Sequence, residues 1–531
     1  MTSPAADLTR HSRMRTASTL LFVLGDQLDS QMPALAELDR EADAVLMAEV
    51  REEAEHVPSH RQRTVLFLAA MRHFALDLIE RGFRVRYVRL DDRANTQSLG
   101  SELKRAIDTL GPERVQVVQP GDHRVETAIR EVAASASTPL ETLEDRSFTC
   151  PLEEFEAWAN DGRKSLVMEY FYRERRRKLD ILVTKDGKPR QGKWNFDAEN
   201  RETFKRAPDV PKPYRPRSDA VTKEVIDLVN TTWPDAPGEL KSFHWPVTRS
   251  QAQRTLRDFV ENRLDGFGTY EDAMWAGETV LYHSRLSSSL NLKLLHPREC
   301  IDAVLAAYED GHAQINDVEG FVRQIIGWRE FIRGVYFHEG ADYSRRNGLQ
   351  QYGDLPEFYW TGETDLNCLK HCLREVIEHA WTHHIPRLMV IGNFALTAGV
   401  HPGAINDWFL AMYVDAVDWV TAPNVVGMSQ HADHGVVGTK PYAGSGKYID
   451  RMSNYCKGCS YDVKKRTGDD ACPFNTFYWD FLIRHRERLA DNPRMGLTMK
   501  NVDRLDVGEK DEIQSRARGL RRDFGVGGIS G

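Results

Sequence analysis

No stretch of the 531 residues stays apolar for the roughly 20 positions that a membrane helix needs, so a helical membrane span is excluded. No Gly-x-Gly-x-x-Gly fingerprint follows an apolar run, so a dinucleotide is not indicated. There is no internal repeat and no low-complexity segment. Neither sign of charge dominates: the net charge is −8. That argues against blanket coating of nucleic acid and leaves room for a local basic groove. Cysteine is scarce and odd in number, at seven. Residues 1–18 lack the apolar core of a signal peptide and are expected to form a disordered tail. A disulfide framework is therefore disfavoured and a reducing compartment is the default.

What is present is ordinary for a soluble protein, with 41% hydrophobic and 28% charged residues. The length exceeds one ordinary core and predicts two domains or more. Residues 19–150 read as an α/β unit. Apolar runs at 19–25, 44–50, 85–90 and 115–118 read as strands. Residues 61–81 repeat at the helical period, with Leu66, Ala69, Ala70, Phe74 and Leu78 on one face, and 101–110 form a helix stopped by Gly111-Pro112. The alternation predicts a doubly wound parallel sheet, whose ligands sit at the carboxyl ends of its strands, where Gly25, Asp26 and residues 49–53 lie.

Residues 151–220 read as a connector. Its basic run 173–178 is a solvated helix face on the commoner reading. Its Gly/Pro-punctuated loop 185–197 carries four cations and Trp194, a composition that can track phosphates. Residues 221–495 read as helical almost throughout, with amphipathic stretches at 251–264, 318–336, 369–382 and 404–419. Residues 496–531 read as a charged tail ending in Gly-Val-Gly-Gly-Ile-Ser-Gly.

Four cysteines carry the strongest chemical signal. Cys456, Cys459 and Cys472 lie in Tyr-Cys-Lys-Gly-Cys and Ala-Cys-Pro contexts, and Cys368 lies far upstream in Asn-Cys-Leu-Lys-His-Cys372. Such thiolates fit either an iron–sulfur cluster or structural zinc, and the spacing alone leaves both open. Cys150 and Cys300 read as buried thiols.

Three further patterns point to a ligand. Residues 282–291, Tyr-His-Ser-Arg-Leu-Ser-Ser-Ser-Leu-Asn, gather hydroxyls at a helix start, a setting for a pyrophosphate. Trp328-Arg329-Glu330-Phe331 places an arginine on a helix, where burial would call for Asp415 or Asp418 as partner. His383-His384 stands three residues before Arg387; adjacent histidines do not share a helix face, which fits one proton donor and one packing residue better than a metal.

These patterns and the cysteines, in this order, resemble the cryptochrome/photolyase family over about 19–484. The cysteine spacing, with Lys440-Pro441-Tyr442 and Tyr448, is similar to its bacterial iron–sulfur branch, whose repair members act on (6-4) photoproducts. The resemblance implies an α/β N-terminal domain and a large all-α C-terminal domain holding FAD. Cys368, Cys456, Cys459 and Cys472 would bind a [4Fe-4S] cluster, leaving Cys372 free. Ser284, Leu286 and Ser287 would meet the FAD phosphates. Arg329, Asn393, Asp415, Asp418 and Asn424 would line the flavin. His384, with His383 beside it, and Tyr442 and Tyr448 would face the lesion. Trp408 and Trp360 would relay electrons. Asp26, Glu49 and Glu53 would lie by an antenna, 6,7-dimethyl-8-ribityllumazine, and Asp197 would recruit a divalent cation such as Mg2+.

The implied activity is light-driven repair of UV-damaged DNA, with the (6-4) lesion flipped out of the duplex, by electron transfer from excited reduced FAD. The implied setting is a monomer in the bacterial cytoplasm. A cryptochrome-type light receptor without repair activity is the alternative. A third reading is an iron–sulfur nucleic-acid binding protein without flavin, since the cysteine lobe alone resembles that of the large primase subunit.

Overall fold

Strands that are apolar on both faces must be covered on both faces. In the computed structural model, which describes Leu8 and residues 14–163 and 165–528, every residue of β1 (Thr19–Phe22), β2 (Ala44–Ala48) and β3 (Val85–Val88) is buried. With β4 (Arg114–Val118) and β5 (Leu140–Leu143) they form one parallel sheet in the order β3-β2-β1-β4-β5. Leu21 of β1 pairs with Val45 of β2 and Gln116 of β4, so β1 is the centre from which the chain winds both ways. The sequence pattern does not show β5, because Leu-Glu-Thr-Leu is an edge strand without a buried residue.

The two faces are covered differently. Leu20, Phe22 and Leu46 pack under the Leu99–Leu110 and His123–Ser135 helices as a closed cluster. Leu21, Val45 and Met47 face the Arg61–Glu80 helix, and their core runs on without a break into the helical part of the chain. The fold is thus an α/β layer joined through one face to a large all-α body.

Three expectations are corrected. The 151–220 segment is not merely a connector: it contains the Leu152–Ala159 and Met168–Leu179 helices, and Arg175 and Arg176 of the basic run are buried. Arg176 donates from Nη1 to the Trp194 carbonyl at 2.8 Å and stacks over the indole, so part of the supposed solvated face is an internal clamp. The charged end of the chain is also folded. The Val507–Asp523 helix buries Ile513, Ala517 and Leu520, a stripe that its charges obscure, and Arg521 donates to the Ala398 carbonyl and pairs with Asp480. Beyond it Val526 is buried and the Gly527 carbonyl accepts from Asp354 N–H; residues 529–531 lie outside the described residues, as does most of the expected 1–18 tail. The single helix expected over 404–419 is two, Pro402–Met412 and Asp418–Ala422, for a reason given below.

Three seven-residue stretches are wound as π-helix: Arg323–Arg329, Pro386–Gly392 and Pro423–Ser429. Such bulges displace the helix register and are frequent at functional sites. Each holds two β-branched residues and a glycine: Ile325-Ile326-Gly327, Val390-Ile391-Gly392 and Val425-Val426-Gly427. The glycines let the segments close on their neighbours. A Cβ on Gly392 would run into Ser429 Oγ and stand 2.9 Å from the Arg387 carbonyl; one on Gly427 would stand 2.7 Å from Asp433 Oδ2.

Gly392→Ala is therefore expected to destabilise the protein by about 1–3 kcal/mol through overpacking. Gly496→Ala, with open space around it, should shift stability by under about 0.5 kcal/mol. Paired thermal melts measure both.

Candidate functional site

Asp415 lies in the break between the Pro402–Met412 and Asp418–Ala422 helices, and its contacts account for that break. Arg387 donates to both its carboxylate oxygens at 3.0 Å, a bidentate pair. Ser287 Oγ donates to Oδ2 at 2.6 Å, and Asn291 Nδ2 donates to the Asp415 carbonyl at 2.8 Å. Arg387 Nε in turn donates to the Thr382 carbonyl at 2.8 Å. One carboxylate thus ties the serine loop to the histidine segment and to the π-wound Pro386–Gly392 stretch.

The helix that follows the serine loop, Ser287–Asn291, is a single short turn, so the expected anion site at a helix start rests on hydroxyls more than on a row of amides. Ser288 Oγ and Ser289 Oγ are buried without a hydrogen-bond partner among the described residues, and so are Nε and Nη1 of Arg329. Such atoms in a native fold call for a polar ligand or water. Ser284 Oγ accepts from Leu286 N–H at 3.4 Å, and the Leu286 side chain belongs to the core, so Leu286 can offer a ligand little but backbone.

Arg329 does not have the aspartate partner expected of it. Asp415 is taken by Arg387, and Asp418 accepts from Tyr336 Oη on the far side. Arg329 instead donates to the Leu290 carbonyl at 3.2 Å and sits over the rings of Phe148 and Trp419, at 4.0 and 5.1 Å. Burial pushes its pKa down to about 10, which still leaves a cation. Asn393 is also corrected. Its amide donates to the Met389 and Gly444 carbonyls and accepts from Gly444 N–H, so it fastens the 442–446 loop and has no free donor. Asn424 is half-buried and spends only its Nδ2, on the Val420 carbonyl.

His383 is buried and His384 reaches solvent. Surrounding protein and the Arg387 guanidinium hold the His384 pKa down at about 4 and depress His383 further. Tyr442 and Tyr448 are half-buried on the Gly444 side. Tyr448 bonds to Asp272, and burial with that carboxylate raises its pKa. Tyr442 is raised by burial and feels Arg494, Arg323 and Asp197. Asp197 stands 3.8 Å from Arg323, and burial with Asp272 and Asp197 pushes nearby Glu271 up to about 8. Sequence reasoning missed Glu271 and Asp272; nothing in their local pattern separates them from surface acids.

Trp408 is wholly buried and donates from Nε1 to the Tyr359 carbonyl at 3.0 Å. Its ring lies 5.2 Å from those of Tyr359 and Phe409 and 5.9 Å from that of Tyr413, which carries the Arg387 guanidinium at 4.1 Å. Trp360, next to Tyr359, is half-buried. A run of aromatic contacts therefore links Arg387 through Tyr413 and Trp408 to Tyr359.

Cys368, Cys456, Cys459 and Cys472 lie within electrostatic reach of one another, and burial raises Cys368, Cys456 and Cys472. Among the described residues no three metal-ligating side chains close tightly on a point. Cys372 turns instead toward Tyr455 and Glu375. Asn367 Nδ2 donates to the Tyr455 carbonyl at 2.7 Å and brings the upstream cysteine's helix to the Cys456–Cys459 turn, where Gly458 takes a φ of +83°. A Cβ on Gly446 would stand 2.9 Å from Cys472 Sγ.

At the sheet's switch point, between the ends of β1 and β4, a cleft opens toward the helical body. It is lined by Gly25, Asp26, Glu53, Gly121 and Asp122 and, from the helical side, by Leu410, Val417 and Asp418. Asp26 and Glu53 lie here as expected, with pKa values raised by burial; Glu53 accepts from Arg124 at 2.8 Å. Glu49 lines the cleft but its carboxylate is spent. It accepts from Arg72 at 2.6 and 3.0 Å, from Tyr87 Oη at 2.7 Å and from Leu90 N–H at 2.8 Å, so it braces the sheet and is not a free ligand. Asp418 belongs to this cleft.

The description "Deoxyribodipyrimidine photo-lyase-related protein" belongs to the family model that matches residues 21–245. A protein named (6-4) photolyase from Agrobacterium fabrum is 46% identical over 507 residues, which are 95% of this chain and 99% of that one. Two solved structures share the fold: a bacterial class III photolyase from Agrobacterium tumefaciens (TM-score 0.56, 15% identity, 97% and 98% of the two chains) and a cryptochrome from Synechocystis (TM-score 0.58, 12% identity, 96% and 100%).

Burial, with Asp122 nearby, pushes Asp418 up to about 6 from an ordinary 3.8. The folded protein therefore binds this proton more tightly than the unfolded chain does. The stability that this contributes is full below about pH 4 and is lost as pH rises through 6. Asp418→Asn should match the parent near pH 4 and melt higher than it at pH 8, a difference read from melts at the two pH values.

Proposed function

The chain belongs to the cryptochrome/photolyase family, and we propose that it is a DNA repair enzyme that reverses (6-4) photoproducts in light. The observation that carries this reading is the likeness, over nearly the whole length of both chains, to a (6-4) photolyase. The site's chemistry supports it. The unpartnered hydroxyls of Ser288 and Ser289, the cationic Arg329 with two free donors, and Ser287 on the Arg387–Asp415 pair fit the phosphates and carbonyls of FAD. Held by these groups, FAD would supply light-driven one-electron chemistry for repair.

The protein's part is positioning and proton control. The Arg387–Asp415 pair fixes the histidine segment against the serine loop. Surrounding protein and the Arg387 guanidinium hold His384 below its ordinary value, so it is neutral in the free protein at pH 7. Phosphates of a bound DNA strand near the exposed ring favour its charged form, so His384 takes up a proton from solvent when substrate binds. Tyr442 and Tyr448 flank the base that is flipped toward them, and an extruded damaged base pair costs least to open. Asp197, beside Glu271 and Asp272, is where a divalent cation such as Mg2+ would sit. The cleft at the switch point takes a lumazine antenna, with Asp26 and Glu53 as its polar wall. Cys368, Cys456, Cys459 and Cys472, which act on one another electrostatically, would hold a [4Fe-4S] cluster.

Blue light and a reductant should restore (6-4)-containing oligonucleotide with the parent protein. His384→Ala should lose repair by at least about 100-fold while flavin absorbance in the purified protein is unchanged. A light-treated parent that leaves the lesion intact, with flavin bound, would make the protein a receptor.

The cysteine assignment has its own check. Cys368→Ala should lose iron and sulfide by elemental analysis, whereas Cys372→Ala should keep both.

A further inference from the structure

His283 and His383 come from distant parts of the chain, the serine loop and the segment before Pro386, yet their rings stack at 4.1 Å between centroids and 18° between planes. The edge of Phe267, at 5.8 Å, closes the other side of His283. Each stacked ring keeps one nitrogen buried and without a hydrogen-bond partner among the described residues: Nε2 of His283 and Nδ1 of His383. His384 follows in the chain and reaches solvent. Neither a metal nor packing accounts for the pair. No three ligating side chains close on a point here among the described residues, and a packing role would be filled by carbon without leaving two polar nitrogens unsatisfied.

The charged surroundings are few. His384 and Arg387 act on His283; His283, His384 and Arg387 act on His383; Arg387 acts on His384. Arg387 itself is neutralised by Asp415. Arg285, two residues past His283, turns away over the Trp245 ring at 4.2 Å. Among the described residues no carboxylate acts on His283, His383 or His384. Two imidazolium ions cannot lie face to face at this distance without strong repulsion, whereas a neutral ring stacked on a charged one is attractive.

We propose that His283 is a positioning residue of the lesion-facing histidine group: by stacking on His383 it limits the pair to one proton and so leaves His384 as the place where a second proton is held. This rests on the repair reading given above. It assigns the three imidazoles an order. His384 takes a proton from solvent once substrate is bound, and the stacked pair behind it carries no more than one and presses the segment into place. Without His283, the proton would be shared between His383 and His384, and less of it would stand at the exposed ring.

Two variants separate this from a structural role. His283→Phe keeps a flat ring on His383 and removes both nitrogens; His283→Leu removes the stack. Histidine side-chain NMR on the full-length protein, in the dark and without DNA, reads the titration of His383 directly. In His283→Phe the His383 resonance should titrate about one pH unit higher than in the parent. The acid limb of the light-driven repair profile should move the same way, with KM for lesion-bearing DNA within about twofold of the parent. In His283→Leu, KM should rise as well. An unmoved His383 titration in a folded His283→Phe protein overturns the proposal. Should the parent repair no (6-4) lesion, the functional reading fails, and the dark titration still decides whether the stack limits the pair to one proton. Should His283→Phe not fold, His283→Tyr and His283→Gln serve for the same titration.

Discussion

The bidentate pair between Arg387 and Asp415 is the constraint on which the helical body depends. A buried carboxylate is costly unless its charge and lone pairs are met. Asp415 is met from three directions at once: by Arg387 at the end of the histidine segment, by Ser287 of the hydroxyl loop and, through its carbonyl, by Asn291. To reach all three, the chain abandons helical geometry between Met412 and Asp418. The interruption of an otherwise helical apolar run is the visible cost of assembling the site. The same logic holds at the sheet, where Glu49 gathers Arg72, Tyr87 and the Leu90 amide and keeps β2 and β3 in register beside the cleft.

The three π-wound stretches extend this argument from side chains to backbone. The wider turn rotates everything that follows, so the Glu330–Glu339 and Asn393–Ala398 helices each leave a bulge at an angle that a regular helix would not provide, while Arg329 and Asn424 lie within the π-wound stretches themselves. A π-turn is less favourable than an α-turn in isolation, and here the compensation is close packing: Gly392 lies against Ser429 and Gly427 against Tyr343 and Asp433. Backbone irregularity and the polar site therefore occupy the same few ångströms.

How much of this was legible in the sequence follows from what each signal depends on. The central strands are apolar on both faces and declare themselves; β5 does not, since half-exposed Leu140 and Leu143 flank Glu141 and Thr142. The Arg61–Glu80 helix is read from its period to within one residue, because its buried stripe is continuous. The C-terminal helix is hidden by its own charges, and only Ile513, Ala517 and Leu520 betray its buried face. At the site, the motifs identified the neighbourhood and not the pairings. Arg329 and Arg387 are equally plausible partners for Asp415 on paper; geometry gives it to Arg387, because Thr382 and Tyr413 aim that guanidinium. Asn393 and Glu49 read as ligand groups on position alone, and in the fold both are saturated, Asn393 by backbone groups and Glu49 by Arg72, Tyr87 and the Leu90 amide. The repeated pattern of two β-branched residues and a glycine, at 325–327, 390–392 and 425–427, was available in the sequence as the one local mark of the π-wound segments.

His283 illustrates the remaining gap. In the sequence it is one residue of a serine-rich loop, a hundred positions from His383, and nothing about its neighbours marks it as part of a histidine group. Only the tertiary fold brings the two rings to 4.1 Å. Once there, electrostatics leaves little freedom. Two charged rings repel, Arg387 already supplies the positive charge that Asp415 offsets, and the exposed ring at His384 is the one position from which added negative charge can be felt. A site built this way is uncharged when empty of substrate and acquires its proton only against a polyanion. The acid is thereby withheld from solvent until the group that needs it has arrived.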